Sequence, residues 1–347
     1  MAVRLKDIAR ESGVSISTVS RILSNDTSRK ANSKTIAKVF ATAERLGYFH
    51  EKVTPAHFLE YFNPHETYSV GCILTSEEET YVSPFFSALL AGIQHEIIKQ
   101  GPSFPHNFFV AHIKDPGFVQ FIQNTRLDCA IMLGRTSLEN IEMLKANIAN
   151  LVYAGVNKIG NGIDEVLCDA REAVLYAIDH LISLGHRSIG FIGPTKKKHR
   201  VFNEHRYEGF LDAMKNHGLA VNPDYVVETM LTASDGYESM QVLIKRNHMP
   251  TAVFCGNDTV ALGVMKALDE HQIRIPEDIS IVGFDNIETV RYLKPALTTI
   301  DIPKQELGRL AVKVLLDRIE SKREYSIKVN LPFTLIVRES CRAIGNE

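Results

Sequence analysis

The chain has 347 residues, 45% of them hydrophobic and 23% charged, and a formal net charge of −2. Such proportions describe a globular protein long enough for two or three domains. No apolar run approaches the roughly 18 residues that a membrane span requires, and the charged N-terminus is not a secretory signal. Cys72, Cys129, Cys168, Cys255 and Cys341 are odd in number and scattered, with no CxxC spacing. That pattern argues against a disulfide framework or a zinc site and fits a reducing cytoplasm.

The small net charge hides an asymmetry. Residues 1–52 hold ten Lys/Arg and five Asp/Glu, a balance of +5, which leaves −7 for the remainder. A basic module ahead of an acidic body suits a protein that meets phosphate at one end only.

The first 23 residues contain two short apolar-periodic segments around a Gly13-Val14-Ser15 turn. Leu5, Ile8 and Ala9 form one stripe; Val19, Ile22 and Leu23 form the other. Spacings of i, i+3, i+4 predict two amphipathic helices. Gly13 supplies the backbone freedom of a sharp turn, and Ser15 stands where a helix N-cap belongs. Ser17, Thr18, Ser20 and Arg21 make up the outward face of the second helix, and no acidic residue lies between Val14 and Asn25. Small hydroxyls allow close approach to a DNA major groove, and Arg can pair with a guanine edge through two bonds. A solvated αα-hairpin is the plainer reading of the same pattern. A third amphipathic run carries Ile36, Val39, Phe40, Ala43 and Leu46 and stops at Gly47.

Residues 49–66 read as a linker, with Pro55 and Pro64 bracketing room for two helical turns. From Tyr68 the texture alternates. Strands are expected at Val70–Leu74, Phe108–Ala111, Cys129–Leu133 and Leu151–Ala154, with a second series starting near Val166. That series continues with a helix from Ala170 to Leu184, strand Ser188–Ile192, helix His205–His217 and strand Tyr225–Val227. Helix Tyr237–Arg246, strand Ala252–Cys255, helix Thr259–His271 and strand Ile279–Gly283 complete it. Strands alternating with helices predict parallel sheets with right-handed crossovers, here in two doubly wound lobes whose ligand site lies beyond the strand carboxyl ends. Arg206, Asn257 and Asp285 stand at such ends; Arg206 can donate to vicinal hydroxyls or to a carboxylate, and Asn257 and Asp285 suit sugar hydroxyls. Asp258 reads as the N-cap of the helix that follows, and Phe86 also reads as core.

The run LKDIARESGVSISTVSRILSN with ERLGY at Glu44–Tyr48 resembles the DNA-binding headpiece of the lactose/galactose repressor family of bacterial regulators. The similarity extends through SLGHRSIGFIG, NEHRYEGF, PTAVFCGNDTVALG, ISIVGFDN and LTTI, in that order. It implies a helix-turn-helix headpiece (1–48), a hinge (49–66) and a two-lobed body of periplasmic-binding-protein type (67–347) that binds effector and dimerises. By position, Ile16, Ser17 and Arg21 would choose the operator sequence, and Tyr48 would touch the DNA backbone. Leu59, three residues after Ala56, would wedge into the minor groove. Arg206, Asn257 and Asp285 match residues that hold a sugar or purine, and Ser83 and Phe86 match the near-lobe contact region. The chain departs from the family in two places. The hinge lacks the usual Pro-Asn pair, and Gly155 replaces a ligand-binding Asp after the fourth strand. The broad similarity is to the galactose and evolved-β-galactosidase repressor branch, which implies a galactoside effector. Without a leucine heptad after the last expected strand, a homodimer is expected.

Catalytic motifs are missing from the sequence. Gly160-Asn161-Gly162 lacks the third glycine of a dinucleotide fingerprint, and there is no GxxxxGK[ST] or HExxH. Lys196 to Arg200 form a basic loop that could meet a phosphorylated ligand or simply be solvated. The expectation is therefore a cytoplasmic repressor of a carbohydrate operon, with no metal or cofactor, released from operator DNA by a sugar. Two alternatives stand beside it: a corepressor-dependent regulator, and a sugar receptor that no longer reads specific DNA.

Overall fold

The computed structural model describes residues 4–23, 35, 38, 39, 42, 46, 68–75, 83–100, 106–115, 117–125, 127–160, 162–195, 204–246 and 248–345. Tyr48, Leu59, the expected hinge at 49–66 and the basic run at 196–200 lie outside the described residues.

The headpiece begins with α1 (Leu5–Ser12) and α2 (Ile16–Leu23). Gly13 closes α1 in the left-handed region at φ 65°, where a side chain would be strained. The next amide, that of Val14, donates to the Ala9 carbonyl at 3.1 Å. Ser15 Oγ accepts from the Thr18 backbone N–H at 3.3 Å and so starts α2. Ile8, Ala9, Val19, Ile22 and Val39 pack into one small core, with Leu5, Val14 and Leu46 against it. Val39 and Leu46 come from the third apolar run. Each fully buried aliphatic side chain contributes about 1.5–3 kcal/mol, so few residues carry this fold.

The body holds two sheets. The first series is β1 (Tyr68–Leu74), α3 (Pro84–Gln100), β2 (His106–His112), α4 (Phe118–Thr125), β3 (Cys129–Leu133), α5 (Leu138–Asn147), β4 (Asn150–Gly155) and β5 (Asp164–Leu167). The second is α6 (Ala170–Ser183), β6 (Ile189–Gly193), α7 (Arg206–Asn216), β7 (Val226–Glu228), α8 (Ala233–Lys245), β8 (Ala252–Cys255), α9 (Asp258–Glu270), β9 (Ser280–Asp285) and β10 (Thr298–Asp301). The chain then returns through α10 (Lys304–Ser321) and β11 (Lys328–Asn330) and ends with β12 (Thr334–Ile336).

The first sheet runs β11-β5-β4-β3-β1-β2 and the second β12-β10-β9-β8-β6-β7. All pairings are parallel except β10 with β12. The strand order reverses beside β1 in one sheet and beside β6 in the other. Those two switch points are where open α/β sheets leave a crevice. The backbone passes between lobes after β5, after β10 and after β11, three times in all. One continuous apolar core includes residues of α6, α10 and both sheets, from Val70 and Ile131 to Phe191 and Phe284.

Several elements differ from the sequence reading, which leaves out α4 and the 18-residue α10 altogether. The strand at Val166 is the last of the first series and pairs with β4; a four-residue strand carries too little pattern to announce its sheet. Helix α8 starts at Ala233 rather than Tyr237, because Thr232 Oγ1 caps it through the Asp235 N–H at 3.1 Å. The polar first turn, Ala-Ser-Asp-Gly, hides this start from an apolar-stripe argument. Strands β11 and β12, three residues each, also escape that argument.

Candidate effector cleft and nucleic-acid interface

Ser83, Phe86, Arg206, Asn257 and Asp285, dispersed over some 200 residues, line one cavity of about 230 Å³ between the lobes. Each sits where its fold position requires. Ser83 lies ahead of α3 after β1, Arg206 opens α7 after β6, Asn257 follows β8, and Asp285 ends β9. Arg135, Tyr153, Gly155, Asn157, Leu231 and Thr232 add to the lining, as does Phe85. The lining therefore combines aromatic residues, Phe85 and Phe86, with polar side chains from both lobes. Phe86 is 8% exposed and belongs to the core as well as to the cavity.

Arg206 is 3% exposed, and much of its guanidinium is already engaged. Nε donates to Glu204 Oε1 at 2.9 Å, Nη2 to Glu204 Oε2 at 2.7 Å, and Nη1 to the Gly256 carbonyl at 2.8 Å. The Phe284 ring lies 5.8 Å from its centre. Burial works against charge on both partners. Even so, Arg206 and Arg135 hold the Glu204 carboxyl below its ordinary range, and Glu204 holds Arg206 above its own. Arg135, on the opposite lobe after β3, reaches Glu204 Oε2 with Nη1 at 3.4 Å. His205 continues the bridge between the lobes: its N–H donates to Asn157 Oδ1, and its Nε2 meets the Lys158 carbonyl, both at 3.3 Å.

Asp258 is not the helix cap. Asn257 is, its Oδ1 accepting from the Val260 N–H at 2.8 Å. Adjacent Asn and Asp have equal capping chemistry, and only the backbone decides between them. Asp258 turns inward, fully buried, and accepts from the Thr299 hydroxyl at 2.6 Å and the Ile287 N–H at 2.8 Å. It thereby fixes the turn that carries Asp285, which sits at φ 106° beside Asn286 at φ 49°. Such φ values are strained for residues with a side chain. Further bonds hold them: Asn286 Nδ2 to Asp301 at 3.0 Å, Arg338 to Asn286 Oδ1 at 2.8 Å, and Lys304 to the Asp285 carbonyl. Burial pushes the Asp285 carboxyl up to about 7, against the pull of Arg206 and Lys304. Burial and then the Asp285 charge push Asp258 up to about 8.

Gly155 has a steric reason. A Cβ there would collide with the Tyr153 hydroxyl. The Tyr153 ring, 1% exposed, fills space at this corner of the cavity. Burial pushes its phenol pKa upward.

On α2, Ile16 is 53% exposed and Ser17 is also exposed, while Thr18, Ser20 and Arg21 are half-buried. The Ser15 hydroxyl is bonded to those of Thr18 at 2.8 Å and Ser17 at 3.1 Å. The helix thus presents an apolar tip and a fixed row of hydroxyls.

Residues 4–50 match the family model of bacterial regulatory proteins, lacI family, and residues 178–341 match a periplasmic binding protein-like domain. The HTH-type transcriptional repressor PurR of Haemophilus influenzae is 32% identical over 350 residues, covering 98% of this chain and 99% of that protein. The chain belongs to the lacI family of bacterial regulatory proteins. It is a DNA-binding transcriptional repressor with a ligand-binding body. The HTH-type transcriptional repressor MelR of Bacillus subtilis is 31% identical, the match covering 99% of both chains. A solved lacI-family regulator from Enterococcus faecium, with bound ribose, superposes with a TM-score of 0.67 at 29% identity, covering 80% of this chain and all of that one. Among the described residues no helix is long and apolar enough to cross a membrane, and no cluster of His, Cys, Asp and Glu could hold a metal ion.

Sequence reasoning did not single out Arg135, Tyr153, Asn157, Thr232 or Glu204. Arg135 and Tyr153 could have been found from their places at the carboxyl ends of β3 and β4. Glu204 carried no such signal, since it precedes a helix and precedes the Arg motif.

Proposed function

We propose that this repressor controls carbohydrate use and leaves its operator when a sugar enters the cleft. The observation that carries the reading is the composition of the cavity: the aromatic Phe86 from one lobe lines it together with Arg206, Asn257 and Asp285 from the other. Aromatic carbons suit the C–H face of a pyranose or furanose, and the convergent polar groups suit its hydroxyls. The bound ribose of the Enterococcus faecium relative supports a monosaccharide in a cavity of this size. A galactoside is the first sugar to test.

Ser15, Ile16, Ser17, Thr18, Ser20 and Arg21 are the operator-reading face on this proposal, with Tyr48 and Leu59 as backbone and minor-groove contacts. A homodimer presents two headpieces to a pseudo-palindromic operator in the cytoplasm. The protein acts by binding and does no chemistry on its effector. Effector affinity differs between two lobe arrangements, and that difference is what shifts operator affinity.

The test is a thermal-shift panel of sugars, sugar phosphates and purines. A ligand at 100 times its dissociation constant adds about 2.7 kcal/mol of stability, a clear rise in melting temperature. A sugar hit is the expected result. A hit among purines alone would overturn the carbohydrate reading. Repeating DNA binding with the hit then separates inducer from corepressor by sign.

A further inference from the structure

Tyr153 and Gly155 lie two residues apart on β4 and so share one face of the sheet. Gly155 brings no side chain to the cavity. A Cβ built on it would stand 2.4 Å from the Tyr153 hydroxyl oxygen and 2.8 Å from the ring carbon that carries it. The phenol therefore occupies the place through which a larger residue than Gly155 would enter the cleft. We propose that the Tyr153 hydroxyl is a specificity-determining contact, donating a hydrogen bond to one hydroxyl oxygen of the bound sugar. This rests on the carbohydrate reading above and names one of its contacts.

The hydrogen-bond inventory carries the argument. A phenol has one O–H to donate and an oxygen that accepts. The Asn157 backbone N–H approaches that oxygen as a donor. Among the described residues no acceptor takes up the phenol proton. Tyr153, Gly155 and Asn157 all line the cavity, so the hydroxyl stands among lining residues. Burial favours the protonated phenol, and only that form donates. A buried donor left without an acceptor is costly, and a sugar is rich in acceptor oxygens.

Position matters as well as chemistry. Strand β4 belongs to the first sheet, whereas Arg206, Asn257 and Asp285 belong to the second series. A sugar oxygen held by Tyr153 ties the ligand to one lobe while those residues hold it to the other. An effector shifts the lobe arrangement only through interactions that differ between arrangements, and contacts from both lobes supply them.

The experiment is isothermal titration of the full chain with galactose, glucose and ribose, and then with each monodeoxy derivative of the tightest of the three. Wild type and Tyr153→Phe are compared. The variant is expected to bind the parent sugar about fivefold more weakly, or worse. One deoxy derivative is expected to bind wild type and variant alike, because it lacks the oxygen that the hydroxyl reaches. The other derivatives keep the difference between the two proteins. Circular dichroism checks the fold. If Tyr153→Phe does not fold, Gly155→Ala, whose methyl displaces the hydroxyl, enters the same comparison. A loss shared equally by the parent and every derivative would mark a purely structural role and overturn the assignment. So would unchanged affinity for the parent sugar. Either result leaves the carbohydrate reading standing. No binding by any of the three sugars would overturn both.

Discussion

The Asp258 carboxyl group accepts a 2.8 Å hydrogen bond from the backbone N–H of Ile287, 29 residues along the chain, and so pins the turn whose Asp285 lines the cavity. The pair has a consequence for pH. With the Asp258 carboxyl pushed up from an ordinary 3.8 to about 8, the folded chain keeps a proton that the unfolded chain releases. Its stabilising contribution is full below about pH 4 and is lost as pH rises towards 8. Asp258→Asn cannot ionise. The stability of wild type relative to Asp258→Asn should therefore fall between pH 5 and pH 8, by up to about 1.4 kcal/mol per unit. Urea unfolding at three pH values measures it; a difference independent of pH would mean that the folded carboxyl is ionised throughout.

Gly155 and Tyr153 should behave as a coupled pair. Gly155→Ala puts a methyl against the Tyr153 hydroxyl and should cost about 1–3 kcal/mol through overpacking. Tyr153→Phe removes the nearest atom struck and leaves a ring carbon at 2.8 Å, so it relieves the clash in part. In the double variant the loss should be smaller than the sum of the singles, with a coupling of about 0.5–3 kcal/mol. Thermal melts of the four proteins check this, and simple additivity would show that the two positions are independent.

Much of the fold was legible because its elements are long and strongly patterned. Buried strands such as Cys129–Leu133 and Ile189–Gly193 are apolar throughout, and α6 carries an unbroken stripe. Asn257 and Asp285 lie at strand ends, as the general rule for α/β sheets expects, whereas Arg206 opens α7 well beyond the end of β6 and was legible from its motif instead. Glu204 and Asp258 were not legible in the same way. Their roles depend on partners 69 and 29 residues away, Arg135 and Ile287, and no local pattern encodes such distances. Short strands such as β11 take their identity from pairing rather than composition.

On the proposed operator-reading face, two residues of α2 differ in the DNA contact they would make. Ile16, at 53% exposure, suits a thymine methyl, whereas Arg21 suits a guanine edge. Arg21→Ala should cost about 1–3 kcal/mol of discrimination between operator and random duplex. Ile16→Ala should cost about 1–2 kcal/mol on the operator through lost apolar burial. Competition binding against random DNA checks both, and equal losses on both duplexes would remove their sequence-reading role.

The most direct test of the account is fluorescence anisotropy with a duplex that the full chain itself selects from random sequence. The chain is titrated onto that duplex with and without a sugar shown to occupy the cleft. The account predicts that the sugar weakens operator affinity by about 5–150-fold, a coupling of about 1–3 kcal/mol. Operator affinity left unchanged by a sugar that saturates the cleft would contradict it.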